Sequence, residues 1–196
     1  VTYHKLAFTV DPEVYFISGK VTTTIRALTD MNSVTFDMAN ELTVTSVKQG
    51  ITSLSFSESG NNELVINLSS ALTTGNATSV EITYSGIPPV NGLWTLSQPY
   101  GARDWWPCKQ DLNDKISSID VYITTPSQYV SVSNGLEQSQ TSNGNGTKTT
   151  HFHHGYPIPA YLIAIATTNY QIHNQTAATT PHTFPIIHYL YPATFS

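Results

Sequence analysis

Ile17-Ser18-Gly19-Lys20-Val21-Thr22-Thr23-Thr24-Ile25-Arg26-Ala27 is the stretch whose reading decides the fold class. Ile17, Val21, Ile25 and Ala27 fall on one side of a period-two repeat, with Lys20, Thr22, Thr24 and Arg26 on the other. Extended backbone sorts residues this way, because successive side chains of a strand point to opposite faces. The pattern continues outward in both directions. Val34, Phe36 and Met38 alternate with Thr35 and Asp37, and Leu64, Ile66 and Leu68 repeat the spacing. So do Val80, Ile82 and Tyr84, and then Ile119, Val121 and Ile123. Thr, Val, Ile and Tyr fill these segments, as a pleated, half-buried surface favours. Turn signals separate them at Asp11-Pro12, Ser59-Gly60-Asn61-Asn62, Thr74-Gly75-Asn76, Asn134-Gly135 and Ser142-Asn143-Gly144-Asn145-Gly146. No stretch of eleven residues carries helical periodicity. The expectation is an all-β chain, a sandwich or a multi-sheet domain.

A chain of 196 residues, 39% of them hydrophobic, is long enough for one large β domain or two small ones with a real core. Charged residues make up only 11%, against about 25% in an ordinary globular chain. Thr, Ser, Asn and Gln must therefore supply the polar surface, as in many exported β-proteins, and a secreted or periplasmic location is the expectation. The net charge is -5 and the 8 basic residues are scattered singly, which argues against a nucleic-acid partner. No run of about 18 apolar residues offers a membrane span. Cys108 is the single cysteine, so no internal disulfide forms. Val1 opens on strand-like sequence without a signal-peptide pattern and reads as a processed end or an imposed boundary. Sequons at Asn67, Asn76, Asn145 and Asn174 are of the number that so Asn-, Ser- and Thr-rich a chain carries by chance. Strands on both sides of the bend at Pro88-Pro89-Val90-Asn91-Gly92 are needed to complete sheets. Residues 1–191 thus read as a single β domain, with Phe184 to Tyr191 its last strand and 192–196 the start of a linker.

The least generic segment is Leu93-Trp94-Thr95-Leu96-Ser97-Gln98-Pro99-Tyr100-Gly101-Ala102-Arg103-Asp104-Trp105-Trp106-Pro107-Cys108. So many aromatics in one loop mark either a packed corner or a binding surface. Loop aromatics more often join a core than form a ligand platform, which favours the corner. If the corner is packed, Arg103 has to be at least partly buried and paired, with Asp104 or Asp111 the nearest candidates, since an unpaired buried charge is expensive.

Gln98-Pro99-x-x-Ala102-Arg103-x-x-x-Pro107-Cys108, followed by Asp111 and Lys115, resembles a stretch of the aminopeptidase N-like zinc peptidases. That stretch typically reads Glu-Pro-x-x-Ala-Arg, then Phe-Pro-Cys-x-Asp-Glu-Pro and a Lys. Its neighbours agree in order. Ile82-Thr83-Tyr84-Ser85-Gly86 is similar to the strand before that loop, and Val130-Ser131-Val132-Ser133-Asn134-Gly135 to the strand and turn after it. Pro157 to Ala166 is similar to the long strand near the end of the family's first domain. Two departures stand out: Gln110-Asp111-Leu112 replaces Asp-Glu-Pro, and Gln98 replaces the usual Glu. The resemblance implies a broad, curved, largely antiparallel multi-sheet domain that walls the active-site cleft of a zinc aminopeptidase. It implies as partners the chain's own C-terminal catalytic domain and the N-terminus of a peptide substrate. It also implies that Gln98 accepts a hydrogen bond from the substrate's free amine.

The catalytic apparatus of that family is absent from these residues. Its zinc site needs a His-Glu-x-x-His helix and a downstream Glu, and no His here is followed by Glu. The Gly-x-Met-Glu-Asn strand is missing as well. The expectation is a fragment with no catalytic residue and no metal of its own, zinc belonging to the full-length enzyme. Six of the seven histidines lie beyond Glu137, and His151-Phe152-His153-His154 puts His151 and His153 on one strand face, a chelating pair that lacks a third ligand. Cys108 reads as a buried, inert thiol, and Asp104, Asp111 and Asp114 as loop caps and ion-pair partners near Arg103 and Lys115, ahead of a calcium site. Two other readings compete. One is a freestanding carbohydrate- or surface-binding β module whose Trp94, Tyr100, Trp105 and Trp106 stack on sugars; the other is a structural spacer.

Overall fold

The structure, a computed structural model, describes residues 1–89, 99–178 and 181–192. Among them the alternation becomes strands, in chain order β1 (Tyr3–Asp11), β2 (Val14–Arg26), β3 (Met31–Asp37), β4 (Leu42–Gln49), β5 (Thr52–Ser53), β6 (Phe56–Ser59), β7 (Glu63–Leu72) and β8 (Ala77–Gly86). After the 99–114 segment come β9 (Lys115–Ile116), β10 (Ser118–Pro126), β11 (Val130–Ser133), β12 (Leu136–Ser142), β13 (Thr147–His154), β14 (Ile158–Pro159), β15 (Ile165–Thr168), β16 (Gln171–Ala178) and β17 (Thr183–Leu190). Short 3-10 turns lie at Ala102–Asp104 and Ala160–Leu162. Each turn signal read from the sequence lies between two strands.

Eight strands form one sheet in the order β12-β13-β10-β1-β2-β8-β4-β5, accompanied by a three-stranded sheet β3-β7-β6 and three two-stranded ones. Pairing in the large sheet is antiparallel except between β1 and β10, where Tyr3 lies opposite Ser118 and Thr9 opposite Thr124. A parallel neighbour cannot be reached by a tight hairpin, so the β1–β10 seam joins two blocks of the sheet, β12, β13 and β10 from late in the chain and β1, β2, β8, β4 and β5 from its first half.

The period-two faces sort as expected. Ile17, Val21 and Ile25 of β2, Val80, Ile82 and Tyr84 of β8, and Ile119, Val121 and Ile123 of β10 are all buried. Phe36, Leu64 and Ile66 of the smaller sheet share one hydrophobic cluster with them. Burial of each such side chain stabilises by about 1.5–3 kcal/mol relative to exposure. The opposite face of β2, with Lys20, Thr22, Thr24 and Arg26, stays half-buried or exposed. Between β11 and β12, Gly135 turns with φ +91°, and a Cβ there would come within 2.1 Å of the His153 carbonyl oxygen. Glycine is what allows that turn to close against β13.

Candidate functional site

Gln98, the residue the resemblance singles out, and Trp94 lie outside the described residues. The loop that begins one residue later is described in full. Tyr100 takes a left-handed conformation (φ +67°) and remains exposed, and the chain then winds into the 3-10 turn Ala102–Asp104. Trp105 and Trp106 follow it at 0% exposure. Their rings lie 6.0 Å apart; Trp105 sits 5.0 Å from Phe8 of β1, and Trp106 meets the His4 ring edge-on at 5.0 Å.

Backbone bonds fasten the loop to neighbouring strands. Asp37 and Cys108 exchange N–H to carbonyl bonds at 2.8 and 3.0 Å, Ala39 N donates to the Arg103 carbonyl at 2.9 Å, and Gln110 N donates to Asp37 Oδ2 at 2.9 Å. Tyr84 reaches in from β8, its hydroxyl donating to the Trp105 carbonyl at 2.6 Å. The Tyr84 ring lies over Gly19 so closely that a Cβ at that position would meet it at 2.3 Å. Of the two readings of the aromatic loop, the packed corner is the correct one. Trp105 and Trp106 offer no face to a sugar ring, so two of the four aromatics of the carbohydrate-platform reading are lost to the core.

The polar residues of the loop behave as loop residues. Arg103 is 38% exposed, and its Nε stands 4.0 Å from Asp104 Oδ1, a loose pair. Burial pushes the Asp104 carboxyl up, against the opposing pull of Arg103. Lys109 Nζ binds Asp114 Oδ2 at 2.6 Å and Asp111 Oδ2 at 3.7 Å, and Asp111 Oδ1 caps Asn113 N at 2.9 Å. Asp114 also holds the N-terminal amine at 3.5 Å. Burial raises the Cys108 thiol well above its ordinary value, and nearby Asp37 adds to the shift, so the thiolate a nucleophile needs is disfavoured.

The histidine pair finds a partner the sequence did not reveal. Asp120 of β10 lies opposite His153 in the strand register. Asp120 Oδ1 contacts His151 Nε2 at 2.6 Å and His153 Nδ1 at 3.1 Å, while its Oδ2 accepts the Tyr3 hydroxyl at 2.8 Å. Tyr122 stacks flat on the His151 ring at 4.1 Å. Burial pushes the Asp120 carboxyl up, but bonds from His151, Tyr3 and His153 outweigh it and hold it below the usual carboxylate range. Among the described residues no group of three or more His, Cys, Asp or Glu is arranged to hold a metal ion. Zinc therefore has no fitting site among the described residues. His4 was not singled out by the sequence reading. Its signal was the alternation His4, Leu6, Phe8, Val10, which puts the imidazole on the core face of β1.

Comparison with known proteins follows the same lines. The family model described as the peptidase M1 N-terminal domain matches residues 1–162. Leucine aminopeptidase 2 of Vanderwaltozyma polyspora is 36% identical over 120 residues, which span 54% of this chain and 18% of that protein. The M1 zinc metallopeptidase of Deinococcus radiodurans superposes with a TM-score of 0.84 at 22% identity, over 95% of this chain and 46% of that one. A variant of the same protein bound to a Tyr-Ser-Ala substrate superposes with a TM-score of 0.83, again at 22% identity and over 95% and 46% of the two chains. The chain thus spans about half the length of these solved structures and less than a fifth of the curated relative.

Proposed function

The chain belongs to the peptidase M1 N-terminal domain family, and on that premise we propose that it is the non-catalytic N-terminal domain of a secreted or periplasmic zinc aminopeptidase, walling the active-site cleft and helping to hold the substrate's N-terminus. In this reading residues 1–191 are the β domain and 192–196 begin the linker to a catalytic domain that carries the zinc.

The observation that carries the reading is the anchoring of the 99–108 loop. Two fully buried tryptophans, the Cys108–Asp37 backbone pair and the Tyr84 hydroxyl fasten it to three different strands. A side chain that must meet a substrate group within a fraction of an ångström needs a base of that stiffness. Gln98, bonded to Pro99 at the entrance of this loop, is the residue assigned to the substrate. Its amide carbonyl would accept a hydrogen bond from the free α-ammonium group.

Kinetics of the full-length enzyme test this. A hydrogen bond to a charged group contributes about 1.5–3 kcal/mol, so Gln98→Ala lowers kcat/KM for free-amine peptides roughly 10- to 150-fold. Gln98→Glu is tolerated far better, because a carboxylate facing an ammonium group adds charge assistance. A Gln98→Ala enzyme within about twofold of wild type would leave Gln98 a structural residue.

A further inference from the structure

The β16–β17 hairpin is unlike the rest of the molecule. Its strands pair along eight residues each, from Gln171 opposite Leu190 to Ala178 opposite Thr183, and form a sheet of their own. None of its described residues is buried. Ile172, Phe184 and Ile187 are each about half exposed. They lie on both faces of the ribbon: Ile172 and Ile187 are in register with Tyr189 and Asn174 on one, Phe184 with Ala177 on the other. A two-stranded ribbon without a covering layer is marginally stable in water.

Composition makes the contrast sharper. From Gln171 to Leu190 the sequence has no Asp, Glu, Lys or Arg, against 11% charged residues over the whole chain. Elsewhere, the exposed apolar residues Leu28 and Ile51 sit in turns or loops, and Val14, Phe16 and Leu136 lie in strands of the large sheet, which has a buried opposite side. An uncharged stretch with large apolar side chains on both faces is the composition of an interface.

We propose that the β16–β17 hairpin is a docking element, which the catalytic half of the parent peptidase covers with an apolar, uncharged surface. Length points to the occupant: one solved relative superposes on all of this chain, hairpin included, and that match takes up only 49% of the relative's own chain. The inference rests on the domain reading above, since it takes the parent to be a peptidase with a second half.

Thiol accessibility in the full-length protein tests it. Ile187→Cys and Phe184→Cys place one thiol on each face of the hairpin, and Ile51→Cys, at a residue 101% exposed, sets the open reference. Alkylation is followed peptide by peptide by mass spectrometry. At least one hairpin thiol is expected to react roughly 20-fold or more slowly than the Ile51→Cys thiol, at every protein concentration. Both hairpin thiols reacting within roughly threefold of the reference would overturn the proposal. So would protection that fades on dilution, which would mark a second copy of the chain as the cover. Two positions on opposite faces keep the test decisive if one variant misfolds. The readout is independent of turnover, so a kinetically silent Gln98→Ala would count against the substrate contact and leave the docking result standing.

Discussion

The 99–108 loop and the β16–β17 hairpin invert the usual relation between regularity and burial. The loop has no strand pairing beyond the Asp37–Cys108 bridge, yet Trp105, Trp106 and Cys108 are wholly enclosed. The hairpin has an unbroken ladder of backbone bonds, yet none of its described residues is buried. Hydrogen-bonded regularity and membership of the core are separate properties. What enclosed the loop was an existing wall, the inner faces of β1 and β8, where the two indoles pack against Phe8 and His4 while Tyr84 fills the space over Gly19. The hairpin meets no such wall among the described residues.

The contrast is broken most directly at Trp106. Removal of a fully enclosed large aromatic costs about 3–5 kcal/mol, because its neighbours only partly collapse into the space. Trp106→Ala is therefore expected to lower the urea midpoint of the chain severely, or to leave it unfolded at 37 °C. A loss below about 1 kcal/mol would mean that the loop is a surface feature after all.

His4 sharpens the contrast through pH. Its ring is wholly enclosed, Nδ1 lies 2.8 Å from Thr23 Oγ1, and burial brings its pKa down to about 3, with the N-terminal amine adding to the shift. An unfolded histidine titrates near 6.5, so below that pH the unfolded chain binds a proton that the folded one refuses. Stability is complete above pH 6.5 and falls with acidification, by about 1.4 kcal/mol per pH unit, until the folded ring itself protonates. Between pH 6.5 and 5 the expected loss from this group is about 2 kcal/mol. His4→Phe, which keeps an aromatic edge against Trp106, is expected to flatten that limb of the stability–pH curve even if it lowers stability at neutral pH. Denaturation midpoints across the window decide the matter; an unchanged slope would show that His4 is not the group responsible.

Strand identity was legible in the sequence because it depends on a local quantity, the period of the apolar residues. The buried faces of β2, β8 and β10 follow from that period alone. The partner of β1 was not legible: β10 lies opposite it in parallel, a long-range pairing on which neither segment's pattern bears. The same non-locality hid Asp120 from His151 and His153, which share a strand face with each other but meet the carboxylate only through the β10–β13 register. Composition favoured core over platform for the tryptophans but did not show which strands would cover them, because a loop's aromatics are buried by what lies beneath them. Gln98 rests on a motif resemblance, and the described residues speak only to the stiffness of the loop that follows it.

Phe184 closes the comparison with the smallest expected effect. Its side chain is 50% exposed and faces Ala177 across the ribbon, so truncation removes little enclosed surface. Surface substitutions away from caps and buried networks shift stability by about 0.5 kcal/mol or less, and Phe184→Ala in the 196-residue chain is expected within that range. In the full-length parent the same truncation would remove a side chain enclosed at the domain boundary, which is worth about 1.5–3 kcal/mol. The quantity of interest is therefore the difference between the two contexts, read from urea midpoints of each protein with and without the substitution. A cost above about 2 kcal/mol in the 196-residue chain would place the hairpin inside the cooperative core and erase the contrast with the loop. Equal, negligible costs in both contexts would leave the contrast intact and remove Phe184 from the interface.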